Sequence, residues 1–144
     1  HGFDHVVFTV FIELPGEPAG AAVMPLQGGT LPEGMRWHRR LRVGGWSNAL
    51  FDWQEASATN EGTPVGQGAH IRVDASTRTV SLVLSAAALG HPATLSGAKI
   101  YVTTWDYDAG YRALQAQPGA HTMGGRQSPQ DPLVMDDTPI LRVP

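Results

Sequence analysis

An antiparallel all-β sandwich is the fold class this sequence predicts, and three observations carry the prediction. Short β-branched and aromatic runs, about seven to nine of them, alternate apolar and polar side chains along most of the chain. Gly 17 and Pro 11 among 144 residues supply turns between these runs, with no triplet period of the collagen kind. Strands do not alternate with helices, and one helical turn is all the pattern offers, which excludes a doubly wound sheet. The length suits one module with a single core over residues 1–144.

Residues 3–13, FDHVVFTVFIE, put Val6, Phe8, Val10 and Ile12 on one face and Phe3, Val7 and Phe11 on the other, so this strand is expected to be covered on both sides. An apolar strand at the very start needs partners, and a module that lacks preceding strands and belongs to a larger protein is expected. LPGEPAG breaks the chain, AAVMPL reads as a short strand, and QGGTLPEG as a loop. MRWHRRLRVGGW sets Trp37, Arg39, Leu41 and Val43 against Arg36, His38, Arg40 and Arg42, predicting a half-buried strand with a solvated, Arg-rich outer face. NALFDW follows as a short strand between Trp46 and Trp53, and residues 54–68 read as a polar loop.

AHIRVDASTRTVSLVLSAAAL predicts a hairpin with Ile71, Val73, Val80, Leu82 and Leu84 inward and the turn over Asp74 to Thr77. Ser85 is placed to cap a one-turn helix, SAAAL, that Gly90 and Pro92 end. AKIYVTTWDYDAGYRAL reads as strand, turn, strand, with either Ile100, Val102 and Thr104 or Tyr101, Thr103 and Trp105 facing the core. Residues 115–129 are mostly loop, and PLVMDDTPILRVP ends the chain in short extended pieces.

A formal charge of -3 offers polyanions no general attraction, so nucleic acid is not an expected partner. No apolar run approaches the roughly 20 residues of a membrane-crossing helix. The absence of cysteine excludes thiol catalysis and disulfides within the chain, without fixing its compartment. No GxSxG, HExxH or GxxxxGK[ST] signature occurs; Ser47, Ser57, Ser85 and Ser128 sit in loop or cap contexts, and Glu13, Glu33, Glu55 and Glu61 read as solvated carboxylates. No catalytic residue is assigned.

Aromatic side chains gather in a way that suits sugar rings, whose C–H faces stack on flat π surfaces while their hydroxyls bond to charged groups. The expected platform is Trp46, Trp53, Trp105 and Tyr107, with Asp106 and Arg112 as polar partners and Tyr111 in reserve. The same rings suit core packing, or an interface that docks on another domain.

Asp106, Asp108, Asp136 and Asp137 are hard oxygen donors that make calcium the candidate ion, although DYDAG puts Gly110 at position five and Gln117 at position twelve of a calcium loop. The terminal amine and ring of His1, with His38, His70, His91 or His121, would sketch a copper monooxygenase site. His5 lies about 13 Å from His1 along a strand, too far to share the ion.

The blocks RVGGWSNALF, SLVLSAAALG, KIYVTTWDYDAGYRAL and DPLVMDDTPILRVP resemble the C-terminal β-sandwich module of glucodextranase and amylopullulanase-type enzymes, related to family-9 carbohydrate-binding and DOMON-like modules. The resemblance covers most of the chain from Gly2 onward. It implies an accessory module outside the cytoplasm, extracellular, periplasmic or on the cell surface, which attaches to sugar or cell wall and does not cleave bonds. The expected function is non-catalytic binding of a neutral polysaccharide such as an α-glucan. The alternative is a structural or docking module packed on a catalytic domain or a second chain. Such modules usually begin with an acidic, Gly- and Pro-containing stretch and two further strands, which do not precede Phe3 here.

Overall fold

A computed structural model describes residues 3, 5–107, 110–111 and 132–144 of the chain. Eleven strands are assigned among them: β1 (Val6–Glu13), β2 (Val23–Met24), β3 (Gly29–Thr30), β4 (Arg39–Val43), β5 (Asn48–Asp52), β6 (Thr63–Val65), β7 (His70–Asp74), β8 (Thr79–Val83), β9 (Lys99–Asp106), β10 (Asp136–Asp137) and β11 (Leu141–Arg142). Seven form one antiparallel sheet in the order β10-β9-β1-β4-β5-β6, with β11 also on β9; β2-β3 and β7-β8 are separate two-stranded sheets.

The first strand is covered on both faces, as its alternation predicts, and it pairs with β9 on one side and β4 on the other. On the front face Val7, Thr9 and Phe11 lie opposite Trp105, Thr103 and Tyr101 of β9, and Thr9 and Phe11 lie opposite Arg42 and Arg40 of β4. Phe11 and Tyr101 pack there with Trp37, Met24, Leu31 and Met35. On the back face Leu41, Val43 and Leu50 join Val10, Ala69 and Ala88, and Ile71, Leu82 and Leu84 of the hairpin region pack against them. A sheet with an apolar cluster on each face gives the sandwich-like layering that the composition predicts.

Several local expectations change. The alternation of MRWHRRLRV does not run straight through: the chain bends at His38, whose N–H donates to the Ile12 carbonyl at 2.8 Å. Trp37 instead pairs with Ala21 and joins the front cluster against Phe11, while Leu41 and Val43 belong to the back. Of the Arg-rich face, Arg36 is exposed, but Arg40 is 0% exposed because the front face of β4 is itself covered. Val73 is 44% exposed, since the β7-β8 hairpin is a sheet of its own and packs mainly through Ile71, Leu82 and Leu84. The expected helix at SAAAL is a turn, although Ser85 does cap it, its Oγ accepting the Ala88 N–H at 3.1 Å. Of the segments read as loops, QGGTLPEG carries β3 and residues 54–68 carry β6, whereas residues 115–129 lie outside the described residues.

Gly62, just before β6, has φ of +103°, and a Cβ there would lie 2.2 Å from the Asp52 carbonyl oxygen. Backbone contacts cannot yield as a side-chain tip can. Gly62→Ala is therefore expected to lose about 3 kcal/mol of stability or more in urea denaturation.

Candidate functional site

Antiparallel pairing brings the start of β1, the end of β9 and the β4-β5 turn to the same end of the sheet. In that turn Gly44 donates to the Ser47 carbonyl at 2.9 Å, leaving Trp46 at the tip and 74% exposed. The His5 ring meets the Trp46 indole edge-on at 5.7 Å, and the His5 carbonyl accepts the Tyr107 N–H at 2.6 Å. Trp46, His5 and Tyr107 are thus neighbours along one rim.

The other expected platform residues fall elsewhere. Trp53 follows the opposite end of the five-residue β5, about 17 Å from the Trp46 end, and packs half-buried on the Phe11–Trp37 cluster. Trp105 is 3% exposed, because its register opposite Val7 turns it to the covered front face, and Asp106 is 5% exposed. Neither presents a surface to a ring in this arrangement. Arg112 lies outside the described residues.

Beneath the rim lies a polar cluster that local pattern alone does not reveal. Glu61 accepts from Arg42 Nε at 2.7 Å and Arg42 Nη2 at 2.8 Å, and from Arg40 Nη1 at 2.7 Å. Arg42 Nη1 donates to the Tyr107 hydroxyl at 3.0 Å, and Arg40 Nη2 to the Tyr111 hydroxyl at 2.9 Å. Thr9 Oγ1 lies 3.0 Å from that Tyr111 hydroxyl. The two tyrosine rings meet edge-to-face at 5.4 Å, and the Arg42 guanidinium sits 5.2 Å from the Tyr107 ring centroid. Burial by itself would raise the Glu61 carboxyl, but hydrogen bonds from Arg42 and Arg40, together with their charges, outweigh it and hold the group below the ordinary carboxylate value. Burial also pushes the Tyr111 phenol up, against the pull of the Arg40 charge. The signal in the sequence was the density of arginine in WHRRLRV; what it lacked was the position of Glu61.

Two cavities lie elsewhere. A polar cleft of 560 Å³ opens beside Glu13, Glu17, Glu33, Arg36 and His38 at the other end of the sheet. Burial tends to raise the Glu13 carboxyl, but the Lys99 ammonium at 2.6 Å and the Arg36 N–H at 2.7 Å bring it below its ordinary value. An aliphatic cavity of 410 Å³ lies on the back face, walled by Val10, Ile12, Leu41, Leu82, Leu84 and Val102 among others.

Among the described residues no group of three or more His, Cys, Asp or Glu side chains is arranged to hold a metal ion. Of the calcium candidates, Asp137 accepts the Tyr101 hydroxyl at 2.6 Å, Asp136 accepts the Asp137 N–H at 2.9 Å, and Asp108 lies outside the described residues. Of the copper candidates, His1 and His121 also lie outside them. His38 is committed: Nδ1 accepts the Leu14 N–H at 2.8 Å, so Nε2 carries the proton and donates to the Ala19 carbonyl. No helix among the described residues is long and apolar enough to cross a membrane.

Residues 1–139 match the family described as the C-terminal binding module, SLH-like, of glucodextranase. The chain belongs to that family. No match is found among curated proteins or among solved structures.

Proposed function

We propose that this member of the glucodextranase C-terminal binding-module family is a non-catalytic carbohydrate-binding module for an α-glucan or a related neutral polysaccharide, working outside the cytoplasm. Trp46 is its main stacking surface and Tyr107 a second ring at the same end of the sheet. The observation that carries the reading is the 74% exposure of the Trp46 indole at the tip of a tight turn. A large flat ring in water has apolar area to lose, and a sugar face can cover it without leaving a polar group unpaired. Tyr107 supplies a second ring, held from beneath by Arg42. Arg112, next to Tyr111 in the chain, stays the proposed partner for sugar hydroxyls, whereas Asp106 is buried.

Calorimetric titration with maltooligosaccharides and dextran tests this. The parent should release heat with at least one glucan, and Trp46→Ala should weaken that binding about thirtyfold, the scale of a tryptophan hot spot. Its melting temperature should stay within about 2 °C, because an exposed ring contributes little to folding. A folded parent that gives no heat with any glucan refutes the reading.

A second reading, docking against a catalytic domain or a second chain, is favoured by the open aliphatic cavity of the back face, beside exposed Leu95 and Leu141. Heat from glucan that Trp46→Ala removes separates the two.

A further inference from the structure

We propose that Glu61 is a positioning residue for the sugar-stacking rim: by gripping Arg42 it fixes the guanidinium that in turn fixes the Tyr107 ring at the end of the sheet that carries Trp46. The inference rests on the carbohydrate reading above. Tyr107 stands just past the end of β9, where, among the described residues, its N–H bond to His5 and its isolated bridge to Tyr111 tie the backbone down. A ring at such a position would turn freely about its side-chain bonds and lose that freedom when a sugar bound. Arg42 removes the freedom beforehand, with a bond to the phenol oxygen at 3.0 Å and its charge 5.2 Å from the ring centroid.

Arg42 is itself long and flexible, so it can orient another group only if it is held. Glu61 takes its Nε and Nη2, the parallel fork for which a carboxylate is shaped, and this leaves Nη1 turned to Tyr107. The same carboxylate takes Arg40 Nη1, whose Nη2 holds the hydroxyl of Tyr111, the ring that meets Tyr107 edge-on. Glu61 is set in turn by its loop: Asn60 Oδ1 accepts the Gly62 N–H at 3.0 Å, and Gly62 adopts the positive φ that a side chain would strain. One carboxylate therefore reaches both tyrosines through two arginines.

Glucan affinity and the Tyr107 ring resonances, followed by NMR in the whole chain, are the readouts. Glu61→Gln keeps the shape and removes the charge; Tyr107→Phe keeps the ring and removes the oxygen that Arg42 holds. Each should weaken glucan binding about threefold to tenfold, the worth of one charge-assisted hydrogen bond. The Glu61→Gln effect should be clearly smaller in the Tyr107→Phe background, because the two share the bond from Arg42 to the Tyr107 hydroxyl. Unchanged affinity in the folded variants, or losses that simply add, overturns the proposal. If Glu61→Gln does not fold, Tyr107→Phe decides: unchanged affinity overturns the proposal, and weakened affinity supports it. Should the parent bind no glucan, the carbohydrate reading fails by itself. The ring then decides the positioning: Tyr107 resonances that shift in Glu61→Gln or, where that variant does not fold, in Arg42→Lys support it, and resonances that stay put overturn it.

Discussion

Glu61→Ala is expected to destabilise the folded chain by about 3–5 kcal/mol, the cost of leaving a buried charge without its partner. Arg40 is 0% exposed, and its ion pair with Glu61 at 2.7 Å is the only one it makes among the described residues. Phe11 and Phe51, at 5.9 and 5.6 Å from the guanidinium, offer ring faces but no negative charge. Removing the cation should cost less than removing the anion. In Arg40→Met, Glu61 keeps both bonds to Arg42, Tyr111 keeps Thr9, and an apolar chain of similar reach fills the space between the two phenylalanines. Chemical denaturation of the two variants should rank them in that order.

The same cluster sets an acid limb. Folding lowers the Glu61 carboxyl below its ordinary value of 4.5, so the folded state binds this proton less readily than the unfolded one. The resulting stability is complete above the unfolded carboxyl's titration and disappears as pH falls through the folded one. Glu13, lowered in the same sense, adds to the loss. Unfolding free energy should therefore be level near neutral pH and decline below about pH 4.5, and Arg40→Met should flatten only part of the decline, because Arg42 still holds Glu61. A parent whose stability rises as pH drops through this window would contradict the pairing.

Trp37→Ala is expected to lose a further 3–5 kcal/mol relative to the parent, the range for deleting a large ring from a packed core. Trp37 is 0% exposed, packs on Phe11 at 6.1 Å between centroids, and donates its indole N–H to the Val23 carbonyl at 2.8 Å. Alanine leaves a cavity against Phe11 and strips that carbonyl of its partner. Trp37→Phe should recover much of the volume but not the bond, and so fall between the two. Trp37 stands toward the end of the sheet remote from Trp46, so whatever fraction of Trp37→Phe remains folded should bind glucan as the parent does. Urea titration gives the first quantity and calorimetry the second.

Much of the architecture was legible because a strand's alternation is a property of the strand alone. Val6 to Ile12 read as apolar on both faces, and such a strand has to be covered on both; Phe11 joins one apolar cluster and Val10 the other. The hairpin at 70–83 and the Ser85 cap follow from turn and cap chemistry within a few residues. Where the pattern misled, a bend intervened: one irregular residue at His38 moves Trp37 to the opposite face from Leu41.

The site was less legible, since coverage depends on residues far away in the chain. Trp46 and Trp105 both read as rings near strand ends, yet one stands in a Gly-Gly turn in water and the other falls opposite Val7 on a face that distant segments cover. Trp46 and Trp53, seven apart in sequence, are sent to opposite ends by the strand between them. Alternation placed Arg40 and Arg42 on one face and could not say that the face is enclosed, or that a carboxylate 21 residues beyond Arg40 returns to meet it. Local pattern was enough for the all-β class, the doubly covered first strand and the list of rings from which a platform could come. Which ring meets solvent and which charges are paired came from packing, because exposure and pairing are sums over every segment that packs nearby, whereas alternation needs no partner at all.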